Sequence, residues 1–412
     1  MARMAGTPGT PRVLRAMNDR AALDLLLEHG TLSRTRIGKL TGLSKPTASQ
    51  LLARLEAAGL VLATGTTAGR PGPNAQLYSV NPAAAYVAGL DVTTERIRAA
   101  VADITGRTVG SFRLPTPRRR TAGNAVEQVV QAVDGAVKAA GLSRGDLHRI
   151  VIGTPGAFDP STGRLRYASH LPGWHSASLL DEMAAALPMP LEYDNDVNLA
   201  AVAEQRLGAA GGHDDFVMLW NEEGIGAALV IGGRLHRGWT GGAGEVGFLP
   251  VPGTPLVRNV TKANNGGFQE LAGCNAVLRI ARELGIEVPE ASLEDAAAAL
   301  LGRAAELWQE GQEGEQGQSG PYADLLRRCA TGHAVGLASL VAVLDPELIV
   351  LAGNVTVSGG EPLRALIQAE LAELAVPRPR LVLGTVHLHP VLGGALESAL
   401  ATTRDEVFDT SR

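Results

Sequence analysis

The chain has 412 residues, 45% of them hydrophobic and 19% charged, which is enough for two or three domains with cores of their own; a small single-module protein and a mainly disordered one are both excluded. The net charge of −5 hides a split. Met1 to Val80 carries ten Lys and Arg (Arg3, Arg12, Arg15, Arg20, Arg34, Arg36, Lys39, Lys45, Arg54, Arg70) against four acids (Asp19, Asp24, Glu28, Glu56), a balance of +6, so the remainder stands at −11. This predicts a basic head that meets a polyanion and an acidic body with a different task.

In the head, Ala22, Leu23, Leu25, Leu26 and Leu27 predict a core-packing helix over Asp19 to His29, stopped by Gly30. Ser33 caps a short helix carrying Ile37 and Leu40 that ends at Thr41-Gly42. Ser44 caps a third helix with Ala48, Leu51, Leu52 and Leu55 at helical spacing, and Gly59 is its stop. Pro46 falls in the first turn, where a missing N–H costs little. A strand (Leu60 to Leu62), a hairpin tip (Thr64 to Asn74) and a second strand (Gln76 to Val80) follow. Three helices and a hairpin are the layout of a winged helix-turn-helix over residues 1–80, whose third helix enters a DNA major groove. Ser44, Lys45, Thr47, Ser49 and Gln50 crowd the front of that helix with donors and acceptors for phosphates and bases, and Arg70 on the tip suits a minor groove.

Pro82 opens a different regime. Tyr86 to Asp91 and Ile97 to Asp103 are apolar runs around a turn, followed by Thr105-Gly106-Arg107. About 130 residues on, Phe216 to Trp220 and Ile225 to Ile231 repeat the pattern around Glu222-Glu223-Gly224 and run into Gly232-Gly233-Arg234. The echo predicts two related α/β halves with a cleft between them. A helix (Ala125 to Ala140) and strands at Arg149 to Gly153 and Leu191 to Tyr193 lie between. These strands end in Thr154-Pro155-Gly156 and Asp194-Asn195-Asp196, the kind of position where α/β proteins place ligand contacts. Glu290 to Tyr322 reads as an Ala-rich helix giving way to a solvated insertion. Ala323 to Leu344 reads as helix, Leu348 to Gly353 as a buried strand and Leu381 to Leu388 as another. Cys274 and Cys329 have no ligand or disulfide spacing and read as buried apolar residues. With no signal-like start and no apolar run near 18 residues, the expectation is a soluble cytoplasmic protein without a membrane segment.

Seven motifs in order carry a resemblance: Ser44-Lys-Pro-Thr47, Gly69-Arg-Pro71, Thr154-Pro-Gly156, Asp194-Asn-Asp-Val-Asn-Leu-Ala200, Gly232-Gly-Arg-Leu-His-Arg-Gly238, Gly244-Glu-Val-Gly247 and Leu344-Asp-Pro-Glu347. Together they resemble the transcriptional regulators of the ROK family over nearly the whole chain. The resemblance implies an α/β architecture: a winged helix-turn-helix, then a two-lobed body of the actin/hexokinase fold over 81–412. Its lobes are expected near 81–195 plus the C-terminal helix, and 196–395. It also implies that Asn195 and Asp196 match the family's sugar-binding pair, the aspartate being general base in kinase members. Glu245 and Glu270 match further hydroxyl-binding carboxylates, and Gly156 a backbone contact beside the sugar.

Departures from the family pattern bear on activity. The first phosphate loop reads Asp91-Val92-Thr93-Thr94-Glu95, with threonines where glycines let backbone close on phosphate, and the second reads Glu222-Glu223-Gly224. Adjacent anions there would repel a triphosphate, so no ATP, no other cofactor and no catalytic residue is expected. The family's zinc positions fall on Phe248, Thr261, Ala263 and Phe268, which offer no S/N ligands. No metal is expected, and Phe248 and Phe268 are expected to pack together in its place. The leading expectation is a repressor that binds a pseudo-palindromic DNA operator as a homodimer or homotetramer and senses a sugar or sugar derivative in the cleft. A sugar kinase with an appended head, and a regulator with a vestigial cleft, are the competing readings. Arg118-Arg119-Arg120 reads as a solvated basic loop.

Overall fold

Ser33 and Ser44 begin two of the head helices as their positions require: the Ser33 hydroxyl accepts from the Arg36 N–H and the Ser44 hydroxyl from the Thr47 N–H, each at 3.3 Å. The computed structural model describes residues 11–66, 75–116, 124–159, 161–166, 171, 173–222, 224–254, 256, 266–311 and 319–411. Arg70 and the hairpin tip from 67 to 74, Arg118 to Arg120, Glu223, Thr261 and Ala263 lie outside these residues.

The head comprises α1 (Pro11–His29), β1 (Leu32–Ser33), α2 (Arg34–Thr41), α3 (Lys45–Ala57), β2 (Val61–Thr66) and β3 (Gln76–Val80). Its sheet runs β1-β3-β2, all antiparallel. Helix α1 starts eight residues before the Asp19 expected from the sequence. Its added turns bury little: Val13, Leu14 and Met17 are exposed, so no core periodicity marks them. Leu23, Leu26, Ile37, Leu51, Leu52 and Leu55 form the head's core.

The first half of the body contains β4 (Tyr86–Val92), β5 (Arg96–Asp103), β6 (Thr108–Pro115), α4 (Ala125–Ala139), β7 (Leu147–Thr154), β8 (Ala157–Phe158), β9 (Leu165–Arg166), α5 (Leu179–Ala186) and β10 (Leu191–Asn195); α6 (Asp196–Leu207) follows and packs on both halves. The second contains β11 (Phe216–Asn221), β12 (Ile225–Ile231), β13 (Arg234–Leu235), α7 (Phe268–Ala272), α8 (Cys274–Glu283), α9 (Leu293–Glu310), α10 (Pro321–Leu344), β14 (Leu348–Ala352), α11 (Asn354–Ser358), α12 (Gly360–Leu374) and β15 (Arg380–Leu383). The sheets run β10-β7-β4-β5-β6 and β13-β12-β11-β14-β15. Each is an antiparallel three-stranded meander whose first strand also pairs in parallel with a later one, and so the internal echo in the sequence is a repeated topology. Strand β15 stops at Leu383 rather than at the expected Leu388. The buried Glu204 carboxylate draws the chain off the sheet by accepting from the Thr385 and Val386 N–H groups, both at 2.8 Å.

The last helix, α13 (Pro390–Val407), returns to the first half and lies between β4 and α6. Glycines permit the approach. A Cβ on Gly394 would overlap the Leu199 carbonyl, and one on Gly89 would sit 3.0 Å from Leu396. Beyond α13, Phe408 is 1% exposed and completes the head's core together with Ile104 from the β5–β6 turn. Asp19, buried on α1, accepts from Arg54 of α3 at 2.7 Å and from the Thr410 hydroxyl at 3.0 Å. The head is therefore keyed onto the body by the chain's own C-terminal segment.

Candidate functional site

On the head, Ser44, Lys45, Thr47 and Gln50 stand exposed at the leading end of α3. Ser49 is half-buried and differs from them: its hydroxyl donates to the Lys45 carbonyl at 2.9 Å and receives Arg34 at 3.1 Å. It therefore positions Arg34. Ser44 and Thr47 hydroxyls lie 2.8 Å apart, so part of their capacity is used in the cap. A concavity of about 310 Å³ between α2 and α3 is lined by Arg34, Thr35, Gly38, Lys39, Gly42, Leu43 and Lys45. Three cations on one concave wall suit phosphate oxygens. Arg34 and Lys39 entered the sequence reading only as part of the head's charge; their place on the helix before the recognition helix was the available signal.

In the body, Asn195 ends β10 and caps α6. Its Oδ1 accepts from the Val197 and Asn198 N–H groups at 2.9 and 3.2 Å, and its Nδ2 donates to the Gly156 carbonyl at 3.0 Å. Asn195 and Gly156 are thus brought together, with Gly156 at φ +73°. Asp196 follows at the first turn of α6. The residue keeps some surface, while its carboxyl lies deep, and burial pushes it up to about 7, helped by the charges of Asp91 and Glu245. Burial likewise pushes Glu245 up to about 6. Glu222 rises to about 8 through burial, then the charges of Glu294, Asp196 and Asp91, against the Asn354 N–H that it accepts. Carboxyls from β4, α6, the β11–β12 turn and the loop after β13 thus converge from both halves. Glu270 is exposed on α7, and its backbone carbonyl accepts from Arg279 at 3.2 Å.

An ion pair missed by the sequence reading joins the halves beside this cluster. Arg237, after β13, donates to the Asp194 carboxylate at 2.7 and 3.1 Å, and the other Asp194 oxygen accepts from Asn198 at 2.9 Å. Both residues lie inside motifs the sequence displays, but their partnership spans 43 positions.

The β4–β5 turn is closed on itself. The Thr93 hydroxyl accepts from the Glu95 and Arg96 N–H groups at 3.4 and 3.2 Å and donates to the Arg96 carbonyl at 3.0 Å. The Thr94 carbonyl accepts from Thr116 at 2.9 Å. At the β11–β12 turn, the Glu222 carboxyl occupies the N–H at the start of α11 and its carbonyl accepts from the Cys274 thiol at 2.8 Å. Phe268 does not pair with Phe248 as expected. Its ring fills the space beside Gly336 on α10, because that glycine leaves a slot in the second half's core. Among the described residues, Phe158 and Tyr193 form the one close ring pair, at 5.0 Å.

Comparison with known proteins follows the same division of the chain. The ROK family model matches residues 87–382, and the MarR family model matches 17–70. A putative xylose repressor of Caldicellulosiruptor sp. (strain Rt8B.4) is 24% identical over 368 residues, 87% of this chain and 89% of that protein. A glucokinase of Halalkalibacterium halodurans is 27% identical over 297 residues, 71% of this chain and 87% of that protein. Among solved structures, a ROK hexokinase from Thermus thermophilus superposes with a TM-score of 0.60 at 28% identity, covering 78% of this chain and 99% of its own. A ROK family transcriptional regulator, homolog of the E. coli MLC protein, has a TM-score of 0.67 at 18% identity and covers 94% of this chain and 96% of its own; it shares the fold with the head included.

Proposed function

From the premise that the chain belongs to the ROK family and carries a winged helix-turn-helix ahead of the family's body, we propose that it is a DNA-binding transcriptional regulator, acting as a repressor, whose operator affinity responds to a carbohydrate or sugar derivative in the interlobe cleft. The observation that carries this reading is the pairing of an exposed, basic recognition helix with a body keyed to it through Phe408 and α13. Operator recognition falls to Ser44, Lys45, Thr47 and Gln50, with Arg34 held by Ser49 and with Arg70 from the segment that links β2 to β3 in sequence. A two-fold homodimer would read two half-sites.

For the sugar, Asp196 and Glu245 are the hydroxyl-binding carboxyls, Asn195 holds the Gly156 backbone beside them, and Glu270 forms the outer rim. Carboxyls from both halves favour the state in which the halves meet around the ligand. A ligand shifts operator affinity only by its differential affinity for the two arrangements. Helix α13 is the route by which closure would reach the head: at about 1.5 Å per residue it spans about 27 Å from the cleft side of β4 to the head core.

Relatives that are kinases make phosphoryl transfer the second reading. Against it stands the Thr93 hydroxyl, which already engages the amides that a phosphate would need. Glu222 adds a physical obstacle of a different kind from simple repulsion: with its carboxyl at about 8 it is neutral at pH 7, so it excludes phosphate by occupying the Asn354 amide. The proposal is tested by mobility shift on the DNA flanking the gene, with and without a panel of sugars. Binding no tighter than to random duplex at moderate salt defeats the DNA reading, and ADP release with any hexose defeats the non-kinase reading.

A further inference from the structure

Asp91 on β4, Arg98 on β5 and Arg113 on β6 lie directly opposite one another in register across three strands, so their side chains share one face of the sheet. Arg96, two residues before Arg98, shares that face. It is the face on which α13 is seated, as the contact of Gly89 with Leu396 shows. Two of the three arginines have a carboxylate beside them. Asp91 accepts from Arg98 at 3.2 Å, and Glu95 lies 3.8 Å from Arg96. Arg98 and Arg113 are like charges on directly opposed residues, an arrangement that costs stability unless an anion joins them. Among the described residues, the buried Arg96 Nε–H has no acceptor. Helix α13 begins alongside, behind His389 at φ 50°, with no side-chain cap on its first turn. Partial burial, then Arg98, Arg96 and Arg113, hold the His389 imidazole below the ordinary histidine range, with Asp91 opposing them.

We propose that Arg96, Arg98 and Arg113 form a binding site for the oxyanion of a small acidic ligand, a phosphate ester or a carboxylate, beside the hydroxyl-binding carboxyls of the cleft. Guanidinium forks match such groups in two-point geometry. The site adjoins the first phosphate loop, and because the Thr93 hydroxyl occupies the Glu95 and Arg96 amides, the anion would be met by side chains rather than by that loop's backbone. It is also remote from the head: Arg98 lies near the start of β5 and Ile104, which belongs to the head core, just past the end of that strand, about 20 Å away at the usual strand rise. Asp91 joins the two chemistries, since it grips Arg98 and its charge is felt at Asp196. One ligand with an oxyanion at one end and hydroxyls at the other would span both. The inference rests on the sensor reading and narrows its ligand to an acidic sugar derivative.

Titration calorimetry of the full chain with inorganic phosphate, a hexose 6-phosphate, a hexuronate and the matching neutral hexose tests the site. The exposed Arg113 is replaced in Arg113→Gln and Arg113→Lys, each checked by thermal melting. Wild type is expected to bind the acidic sugars more tightly than the neutral one. Arg113→Gln should lose about tenfold for the acidic sugars alone, and Arg113→Lys should recover part of the loss. The order of hexose 6-phosphate and hexuronate identifies which oxyanion is meant. The proposal is overturned if neither acidic sugar exceeds the neutral hexose, or if Arg113→Gln binds every ligand as wild type does. Arg113-dependent binding of acidic sugars that leaves operator affinity unchanged would retain the anion site and remove the sensor reading instead.

Discussion

Arg20 of the first head helix reaches Asp405 of the last body helix at 2.7 Å and lies over the ring of Phe408, 5.8 Å from its centre. The exposed ion pair contributes little by itself. The ring beneath it is another matter, because it is enclosed by the head's core.

Phe408→Ala removes that enclosed ring, a change of about 3–5 kcal/mol in well-packed cores. The expected outcome is faster hydrogen exchange in α1, with α10 and α12 unchanged, and at least a fivefold loss of the sugar-induced change in operator affinity. Unaltered exchange in α1 would show that the C-terminal segment does not hold the head.

At the recognition helix, Lys45→Ala should weaken binding to all duplexes alike and lower the salt slope by about one. Gln50→Ala should leave the salt slope unchanged and relax selection at one base position, by about 1–3 kcal/mol. Mobility shifts on operator and scrambled duplexes across a salt series separate the two, and identical behaviour of both variants would contradict the assignment.

Asp196 titrates at about 7, so its stronger, ionised form gains population as pH rises through neutrality. Sugar affinity is expected to increase between pH 6 and 8 in the wild type. In Asp196→Asn it should be weaker by about tenfold, and its remaining rise should be confined to the lower part of the interval, where Glu245 loses its proton. An unchanged pH profile in Asp196→Asn would remove this residue from the ligand.

Glu222 concerns stability. Its folded carboxyl keeps a proton up to about pH 8, whereas an unfolded glutamate loses it near about 4.3. Between those values the folded state holds the extra proton, so this group's contribution is complete at low pH and is lost as pH rises, by at most about 1.4 kcal/mol per pH unit. Glu222→Gln should therefore melt near wild type at pH 5 and progressively above it toward pH 8. A constant difference in melting temperature would place this carboxyl in water.

Much of this architecture is written locally. The serine caps, the apolar spacing of Leu51, Leu52 and Leu55, and the paired runs at Tyr86 and Phe216 act within a few residues of themselves, so the sequence displays them. Strand β6 did not register because it is an edge strand with mostly exposed side chains and weak alternation. Without β6, the alignment of Arg113 with Arg98 is invisible. The Asp194–Arg237 pair and the burial of Phe408 beside Leu23 and Leu26 depend on chain returns that no periodicity encodes. Motif order singled out Asn195, Asp196 and Glu245 as candidates, and the structure brings the Asp196 and Glu245 carboxyls within electrostatic reach of each other. The exposure of Glu270 and the use of Ser49 to orient Arg34 follow from packing alone.

The seating of α13, with its own Gly394 against Leu199 of α6 and its Leu396 against Gly89 of β4, has a mechanical meaning. Side chains at a helix interface act as springs, turning between rotamers and absorbing small displacements. Here backbone meets backbone at Leu199 and the spring is missing. A helix held so closely is expected to move with α6 as one piece, and on the proposed sensor reading a shift of a fraction of an ångström beside Asp196 would arrive undamped at Phe408.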